Sequence, residues 1–175
     1  MPADQTTITA LMFLPLAGAI SYIDVRYRRI PNKLVLMTLL IGFTVNTIFG
    51  GFKGLLASLS GFALAFGLMF LLHLFGTMGA GDVKLFAAVG AVIGVSLVLP
   101  TLLVVTMTGG VIAIGKMIYA RRVGTTILGV VQFFYGLLPG QTVPRFDVPK
   151  DRSYTLPYAV PICIGSLISF FLFRA

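Results

Sequence analysis

The chain has few charged residues and a single cysteine, and both shortages exclude familiar classes of protein. Charged residues make up 10% of its 175 residues and hydrophobic residues 58%, whereas ordinary soluble domains are roughly 25% charged. Cys163 alone permits neither an intrachain disulfide nor a cysteine-based zinc cluster. No phosphate loop, dinucleotide fingerprint or metal-ligand spacing is present, so we expect no cofactor and no metal. Lipid is therefore the expected solvent of this chain.

The formal net charge of +8 is the next feature that bears on partners. A nucleic-acid binder would need a soluble basic face, but most of these charges lie in short turns between apolar runs. The charge therefore indicates membrane topology, and we expect no nucleic-acid partner. The first apolar run follows an acidic, polar start and is succeeded by further runs, which is unlike a removable signal. We expect residues 1–175 to form a single transmembrane domain.

Long apolar runs predict an all-α polytopic membrane protein, because a span needs about 20 apolar residues, with a lower limit near 17. The apolar sequence from Leu85 to Tyr119 would reach roughly 50 Å as one helix, beyond a hydrocarbon core of about 30 Å. It must therefore turn, and Pro100-Thr101 is the predicted turn. The sequence thus predicts about six transmembrane helices. Five of them are predicted at Thr7–Ile23, Leu34–Phe49, Gly54–Phe75, Val83–Leu99 and Pro157–Phe173.

The segment Thr125–Leu138 is shorter, contains two glycines and is flanked by basic residues, so it is predicted to be an interfacial helix. With the N-terminus outside, the predicted cytoplasmic turns then hold 11 of the 13 Lys and Arg residues. This bias agrees with the positive-inside rule. We therefore expect a multi-pass protein of the inner membrane, with lipids as partners and with only Lys53 and Arg174 of the basic residues outside.

All five acidic residues are aspartates, and two of them lie where spans meet the cytoplasm. Asp4, Asp147 and Asp151 lie in polar stretches and are expected to be solvated. Asp24 lies where the first span ends, and Asp82 lies where the fourth begins. Carboxylates beside hydrocarbon are costly and are usually buried against protein with a function.

Each of these two aspartates also has a structural interpretation. Asp82 could cap the helix that follows it, and Asp24 could belong to a juxtamembrane charge pattern with Arg26, Arg28 and Arg29. As a pair they indicate more. Two neighbouring carboxylates share one proton, so that one can take a proton from water while the other protonates a carbonyl oxygen. Glycines such as Gly79 and Gly81 would let a substrate backbone approach closely.

Three blocks of the sequence resemble the type IV prepilin peptidases, in particular their short form associated with Flp-type pilus assembly. The first block is Asp24 with Ile30-Pro31-Asn32, and the second is Gly79-Ala80-Gly81-Asp82-Val83-Lys84-Leu85 with Ala87, Ala88 and Gly90. The third is Pro157-Tyr158-Ala159, at the start of the last span. The resemblance implies a membrane aspartyl endopeptidase with a Gly-x-Gly-Asp motif and with prepilins as substrates.

The resemblance implies that Asp24 and Asp82 are the catalytic pair, cutting a short basic leader from the prepilin after a glycine at the cytoplasmic face. Gly79, Gly81, Lys84, Pro157 and Tyr158 fall at supporting positions. Lys84 either tunes Asp82 electrostatically or anchors to lipid headgroups. Long members of the family carry a cytoplasmic insert with paired cysteines and also methylate the new N-terminus. This sequence has neither feature, so methyltransferase activity is not expected.

Other interpretations of these residues stay open at the level of sequence. A small proton-coupled transporter or channel could use the same aspartates as a relay, but it would be expected to place acids near the midplane. A structural subunit of a secretion machine would leave the Gly79–Asp82 pattern without a purpose. His73, the one histidine, is expected to pack between helices rather than to act in catalysis.

Overall fold

The computed structural model describes residues 3–75, 78–119 and 158–174, and every regular element in these ranges is an α-helix. The all-α prediction is confirmed for this part of the chain. Thr125–Leu138 lies outside the described residues, so the interfacial helix and the count of six spans stay predictions. In chain order the helices are α1 (Ala3–Tyr27), α2 (Asn32–Leu74), α3 (Ala80–Ile93), α4 (Val95–Tyr119) and α5 (Ala159–Arg174).

Within the described ranges, three helical segments are long and apolar enough to cross a bilayer, namely Thr7–Tyr27, Asn32–Leu74 and Val95–Tyr119, and Ala159–Phe173 is a shorter apolar helix. Many large apolar side chains on these helices point away from the protein, including Leu11 and Phe52, each 73% exposed. An apolar surface this extensive is costly in water but compatible with lipid. The chain is therefore an integral membrane protein.

Helix α2 folds back on itself at Gly51. The backbone there has φ 56° and ψ −140°, which is non-helical and favours glycine. Gly54 packs against the part of α2 that precedes Gly51, so closely that a Cβ on Gly54 would overlap the carbonyl oxygen of Asn46. We call residues 32–50 the first arm and residues 52–74 the second arm. The two arms coincide with the predicted spans Leu34–Phe49 and Gly54–Phe75.

A buried polar cluster around Asn46 ties the two arms to their neighbours. The Asn46 amide donates to the Ser58 hydroxyl at 2.7 Å and to the Ala91 carbonyl oxygen at 2.9 Å. Its own oxygen accepts a hydrogen bond from Gln5 of α1 at 2.9 Å. Asn46 is 2% exposed, so each of these bonds satisfies a group that hydrocarbon could not. The cluster therefore joins α1, both arms of α2 and α3.

Helix α3 is inserted against the two arms through glycine contacts. A Cβ on Gly42 would lie 2.7 Å from the Val92 nitrogen, and one on Gly90 would lie 2.5 Å from the Cβ of Ala65. Such close backbone approach is typical of membrane helices that pack through small residues. Ten of the eleven residues from Val83 to Ile93 are buried, the exception being Lys84. Asp82 therefore lies in the first turn of a helix that is mostly buried.

The predicted turn at Pro100-Thr101 is wrong, and so is the prediction of one span over Val83–Leu99. The helix ends at Ile93, and the chain breaks at Gly94, whose φ of 77° favours glycine. Pro100 lies inside α4. Proline removes one backbone hydrogen bond, and membrane helices tolerate this loss. The left-handed backbone at Gly94, in contrast, suits a residue without a Cβ atom.

The chain divides into two units, of which one comprises Met1–Gly109 with Pro157–Ala175 and the other comprises Gly110–Leu156. In the first unit, α5 packs on α4 through a 2.6 Å hydrogen bond between the hydroxyls of Thr101 and Ser169. Cys163 is buried in α5, 1% exposed, which agrees with a small core residue. Of the second unit, the structure describes only the end of α4.

Candidate active site

The site is built from five helix ends that lie at the same end of the bundle. They are the last turn of α1, the start of the first arm, the end of the second arm, and the starts of α3 and α5. These ends come together because successive helices run in opposite directions, so that the chain returns to the same end of the bundle after every second helix. Asp24 and Asp82 belong to this set, and neither lies near the middle of a helix.

Asp24 lies in the last turn of α1 and is 6% exposed. Its Oδ2 accepts a hydrogen bond from the backbone N–H of Ala159 at 3.1 Å. Ala159 is the first residue of α5, so the donor is one of the N–H groups that a helix start leaves without an intrahelical partner. A carboxylate 135 positions earlier in the chain is thereby fixed in direction.

The turn after Asp24 explains why Ile30, Pro31 and Asn32 follow it. Helix α1 closes with Arg28, whose N–H bonds the Asp24 carbonyl oxygen at 2.8 Å and whose φ is 51°. Pro31, with φ −67°, is the N-cap of α2, a role that suits its fixed φ. The chain thus reverses in a few residues and keeps Asp24 beside the start of the first arm.

Asp82 is the third residue of α3, and its Oδ2 accepts the Gly79 N–H at 3.3 Å. Gly79, not Asp82, is the N-cap residue. Asp82 therefore does cap the start of α3, as one interpretation of the sequence had it, but it does so from the first turn of the helix and not from the N-cap position. The backbone N–H groups of Gly79 and of Asp82 itself favour the ionised carboxylate, which keeps further lone pairs for other partners.

Asp24 and Asp82 lie close enough to interact through their charges. Asp82 lies in the first turn of α3. Burial, and then the negative charge of Asp24, raise the pKa of Asp82 to about 6, while the Gly79 N–H opposes the rise. A carboxyl with this pKa keeps its proton well above the usual range, as expected of one member of an interacting pair.

Removing the charge of Asp24 should lower the pKa of Asp82 below its wild-type value. In Asp24→Asn the neighbouring negative charge is lost, so that ionised Asp82 is less disfavoured. An infrared titration that follows the protonated carboxyl band should show the band disappearing near pH 6 in the wild type and at lower pH in Asp24→Asn. Asp151→Asn is the control. An unchanged titration in Asp24→Asn would mean that the two carboxyls do not interact.

The two motif glycines meet different surroundings. A Cβ on Gly79 would lie 3.0 Å from Oδ2 of Asp82, whereas a Cβ on Gly81 would meet only the Ile30 side chain, at 3.5 Å. Gly79 thus leaves space for the carboxylate. Gly81 brings the loop against the residue that precedes Pro31, which joins the first and second sequence blocks in space. Neither glycine has a positive φ.

The remaining predicted site residues are placed as follows. Lys84 is exposed, and the influences that shift Asp82 are burial, Asp24 and backbone N–H groups, so tuning of Asp82 by Lys84 finds no support. Tyr158 is half-buried, and its carbonyl oxygen accepts the Ile162 N–H at 3.2 Å. Pro157 lies outside the described residues. In the third block, the contact with Asp24 is therefore made by the Ala159 backbone.

Two groups that hold the site together were not identified from the sequence. The Ala159 N–H is a backbone group, and the one available signal was its place at the start of the last span. His73 was expected to pack, but its Nδ1 lies 2.7 Å from the carbonyl oxygen of Met78. It therefore donates to the residue just before Gly79 and links the end of the second arm to the loop that carries Asp82. Among the described residues no group of three or more potential metal ligands occurs.

The similarity to known proteins includes both aspartates. Residues 11–114 match the sequence profile described as the type IV leader peptidase family. The chain is 24% identical over 164 residues to a prepilin leader peptidase/N-methyltransferase of Bacillus subtilis (strain 168), covering 92% of this chain and 54% of that protein. It therefore spans about half the length of this relative. No solved structure matches the chain significantly.

Proposed function

Because the chain belongs to the type IV leader peptidase family, confirming the resemblance noted in its sequence, we propose that it is an aspartyl endopeptidase that removes the leader of prepilin-like proteins. Asp24 and Asp82 are its proposed catalytic pair. The observation that carries the proposal is a pair of carboxylates at one end of the bundle, each oriented by a backbone N–H, in which the charge of Asp24 raises the pKa of Asp82.

The proposed reaction needs only the two carboxyl groups and water. The ionised carboxylate takes a proton from the water, whose oxygen bonds to the scissile carbonyl carbon, while the protonated carboxyl gives its proton to the carbonyl oxygen. The C–N bond of the resulting diol then breaks as the protonated carboxyl gives its proton to the amine nitrogen and one diol hydroxyl gives its proton to the ionised carboxylate, and a carboxylic acid and a free N-terminus are released. The pair returns to its singly protonated form.

The proposed substrate lies at the cytoplasmic face of the inner membrane, with the N-terminus of the enzyme outside. Support comes from the Lys and Arg bias and from the position of both aspartates at the end of the bundle where the basic turns Arg26–Arg29 and Lys33 lie. A proton-coupled transporter would be expected to hold acids midway along its helices, and Asp24 and Asp82 lie at helix ends.

Peptidase activity without methylation is part of the proposal. The relative from Bacillus subtilis is named both a peptidase and an N-methyltransferase, and the match covers 54% of it. The single cysteine of this chain cannot supply the paired cysteines that accompany methylation in long members of the family. Prepilin cleaved in the presence of S-adenosylmethionine should therefore carry an unmodified N-terminus, as read by mass spectrometry. A methylated product would contradict this part of the proposal.

Gly79→Ala is expected to reduce leader cleavage about tenfold more than Gly81→Ala. The added methyl at Gly79 would press on Oδ2 of Asp82 at 3.0 Å, whereas at Gly81 it would make an ordinary contact with Ile30 at 3.5 Å. Small displacements of a catalytic group are costly, and about 1 Å can cost 10²-fold. The measurement is kcat/KM for a leader peptide in matched proteoliposomes. Equal losses in the two variants would show that Gly79 does not protect the carboxylate.

A further inference from the structure

A narrow groove lies between the two arms of α2 and helix α3, beside the candidate site. Its volume is about 380 Å³. Ala87 and Ala88 of α3 are buried, at 0% and 1% exposed, and lie on the inner side of this groove. The walls are formed by Val35 and Leu39 of the first arm, Phe62 and Phe66 of the second arm, and these two alanines.

Polar residues line this groove only at its mouth. Asn32 is the first residue of α2, and Lys84 lies in the first turns of α3, so that both lie at the end of the bundle where Asp82 also lies. Both side chains are exposed. Among the described residues, no hydrogen bond or ion pair engages the Lys84 ammonium or the Asn32 amide. The mouth therefore presents a positive charge and an amide above an apolar channel.

The length of the groove and its exposed rim suit an acyl chain that enters from the bilayer. Asn32 and Leu39 are seven residues apart, so the groove runs about 10 Å along the first arm, about a third of the hydrocarbon thickness. Leu36, which also lines it, is 54% exposed and Phe66 is 39% exposed. The groove thus opens toward the bilayer, and its apolar walls disfavour water.

We propose that this groove binds an anionic glycerophospholipid, with an acyl chain between the arms and α3 and the phosphate headgroup on Lys84 and Asn32. Charge complementarity selects this occupant, because a lysine ammonium at the membrane surface attracts anionic headgroups and binds phosphate as a point charge. A zwitterionic lipid would fill the same channel without the net attraction at the mouth. Binding does not depend on proteolysis, so the inference stands or falls separately from the proposed function.

The absence of tryptophan makes the test direct, since a single introduced tryptophan reports only its own surroundings. Leu36→Trp places the reporter at the rim of the groove. Leu71→Trp is the matched control, because Leu71 is 55% exposed against 54% for Leu36, lies about as far from its end of α2, and does not line the groove. Fluorescence quenching by brominated phosphatidylglycerol and brominated phosphatidylcholine in mixed vesicles gives the lipid preference at each position.

The reporter at residue 36 should prefer phosphatidylglycerol about fivefold, the order expected for one basic residue at an anionic surface, and the reporter at residue 71 should show almost no preference. Adding Lys84→Gln should abolish the preference at residue 36, while Lys84→Arg and Lys33→Gln should retain it. Lys33→Gln removes an equal charge outside the groove.

Three results would overturn the inference. The first is an equal preference at both reporters, and the second is an unchanged preference in Lys84→Gln. The third is displacement of the lipid at residue 36 by an apolar transmembrane peptide from a prepilin, which would assign the groove to the substrate. Soluble glycerophosphate should not displace the lipid, because it lacks the acyl chain; displacement would contradict the role given to the apolar walls.

Discussion

Asp24→Asn and Asp82→Asn are each expected to lower the rate of leader cleavage by about 10²- to 10⁴-fold, the range of a lost general acid or base. Asparagine cannot take a proton from water at neutral pH or supply one to a carbonyl oxygen. It can still accept the backbone hydrogen bonds from Ala159 and Gly79, because its side-chain oxygen occupies the place of Oδ2. The loss should therefore be chemical and should leave the fold intact.

Initial rates with a synthetic leader peptide in proteoliposomes measure this loss, and thermal unfolding of the purified variants checks the fold. Asp151→Asn is the matched control, since it makes the same chemical change in a stretch that the sequence predicts to be solvated. The control should cleave at the wild-type rate. A variant at Asp24 or Asp82 that unfolds at the wild-type temperature and still cleaves within about threefold of the wild-type rate would remove that residue from the pair.

Gly54→Ala is expected to prevent the two arms of α2 from closing. The new Cβ would overlap the carbonyl oxygen of Asn46, which is backbone and cannot move alone. Separating the arms would also break the hydrogen bonds of Asn46 with Ser58 and Ala91. Overpacking costs about 1–3 kcal/mol, and buried polar groups left unpaired cost about 1–3 kcal/mol each. Little folded protein should remain.

Gly67→Ala is the control for this prediction, because nothing lies within 4 Å of a Cβ at that helical position. It should unfold at the wild-type temperature or slightly above it, since alanine is the better helix former. Size-exclusion profiles and thermal unfolding in detergent distinguish the two variants. If Gly54→Ala were as stable as Gly67→Ala, the arms could not be packed as tightly as described.

The position of the two aspartates could be predicted from the sequence, because it follows from a parity rule. Asp24 ends one span and Asp82 begins another after two intervening crossings, so both must lie on one side. The folding of α2 into two arms preserves this parity. The error at Pro100-Thr101 did not affect it, because the actual break at Gly94 comes after Asp82.

The partner of Asp24 could not be predicted in the same way. Which backbone N–H faces a carboxylate depends on how α1 and α5 pack, and these contacts join residues 135 positions apart. The Asn46 cluster could not be predicted from charge, because its side chains are neutral. Gln5, Asn46 and Ser58 lie in or beside apolar runs, and polar side chains in such places commonly bond across helices.

The most direct test of the central proposal is the fate of a prepilin co-expressed with this protein. A prepilin with a short basic leader should lose that leader in one cut after its glycine, as read by mass spectrometry of the new N-terminus. The double variant Asp24→Asn/Asp82→Asn, present in the membrane in equal amount, should leave the prepilin intact. Uncut prepilin beside the wild-type protein, or the same cut beside the double variant, would contradict the account.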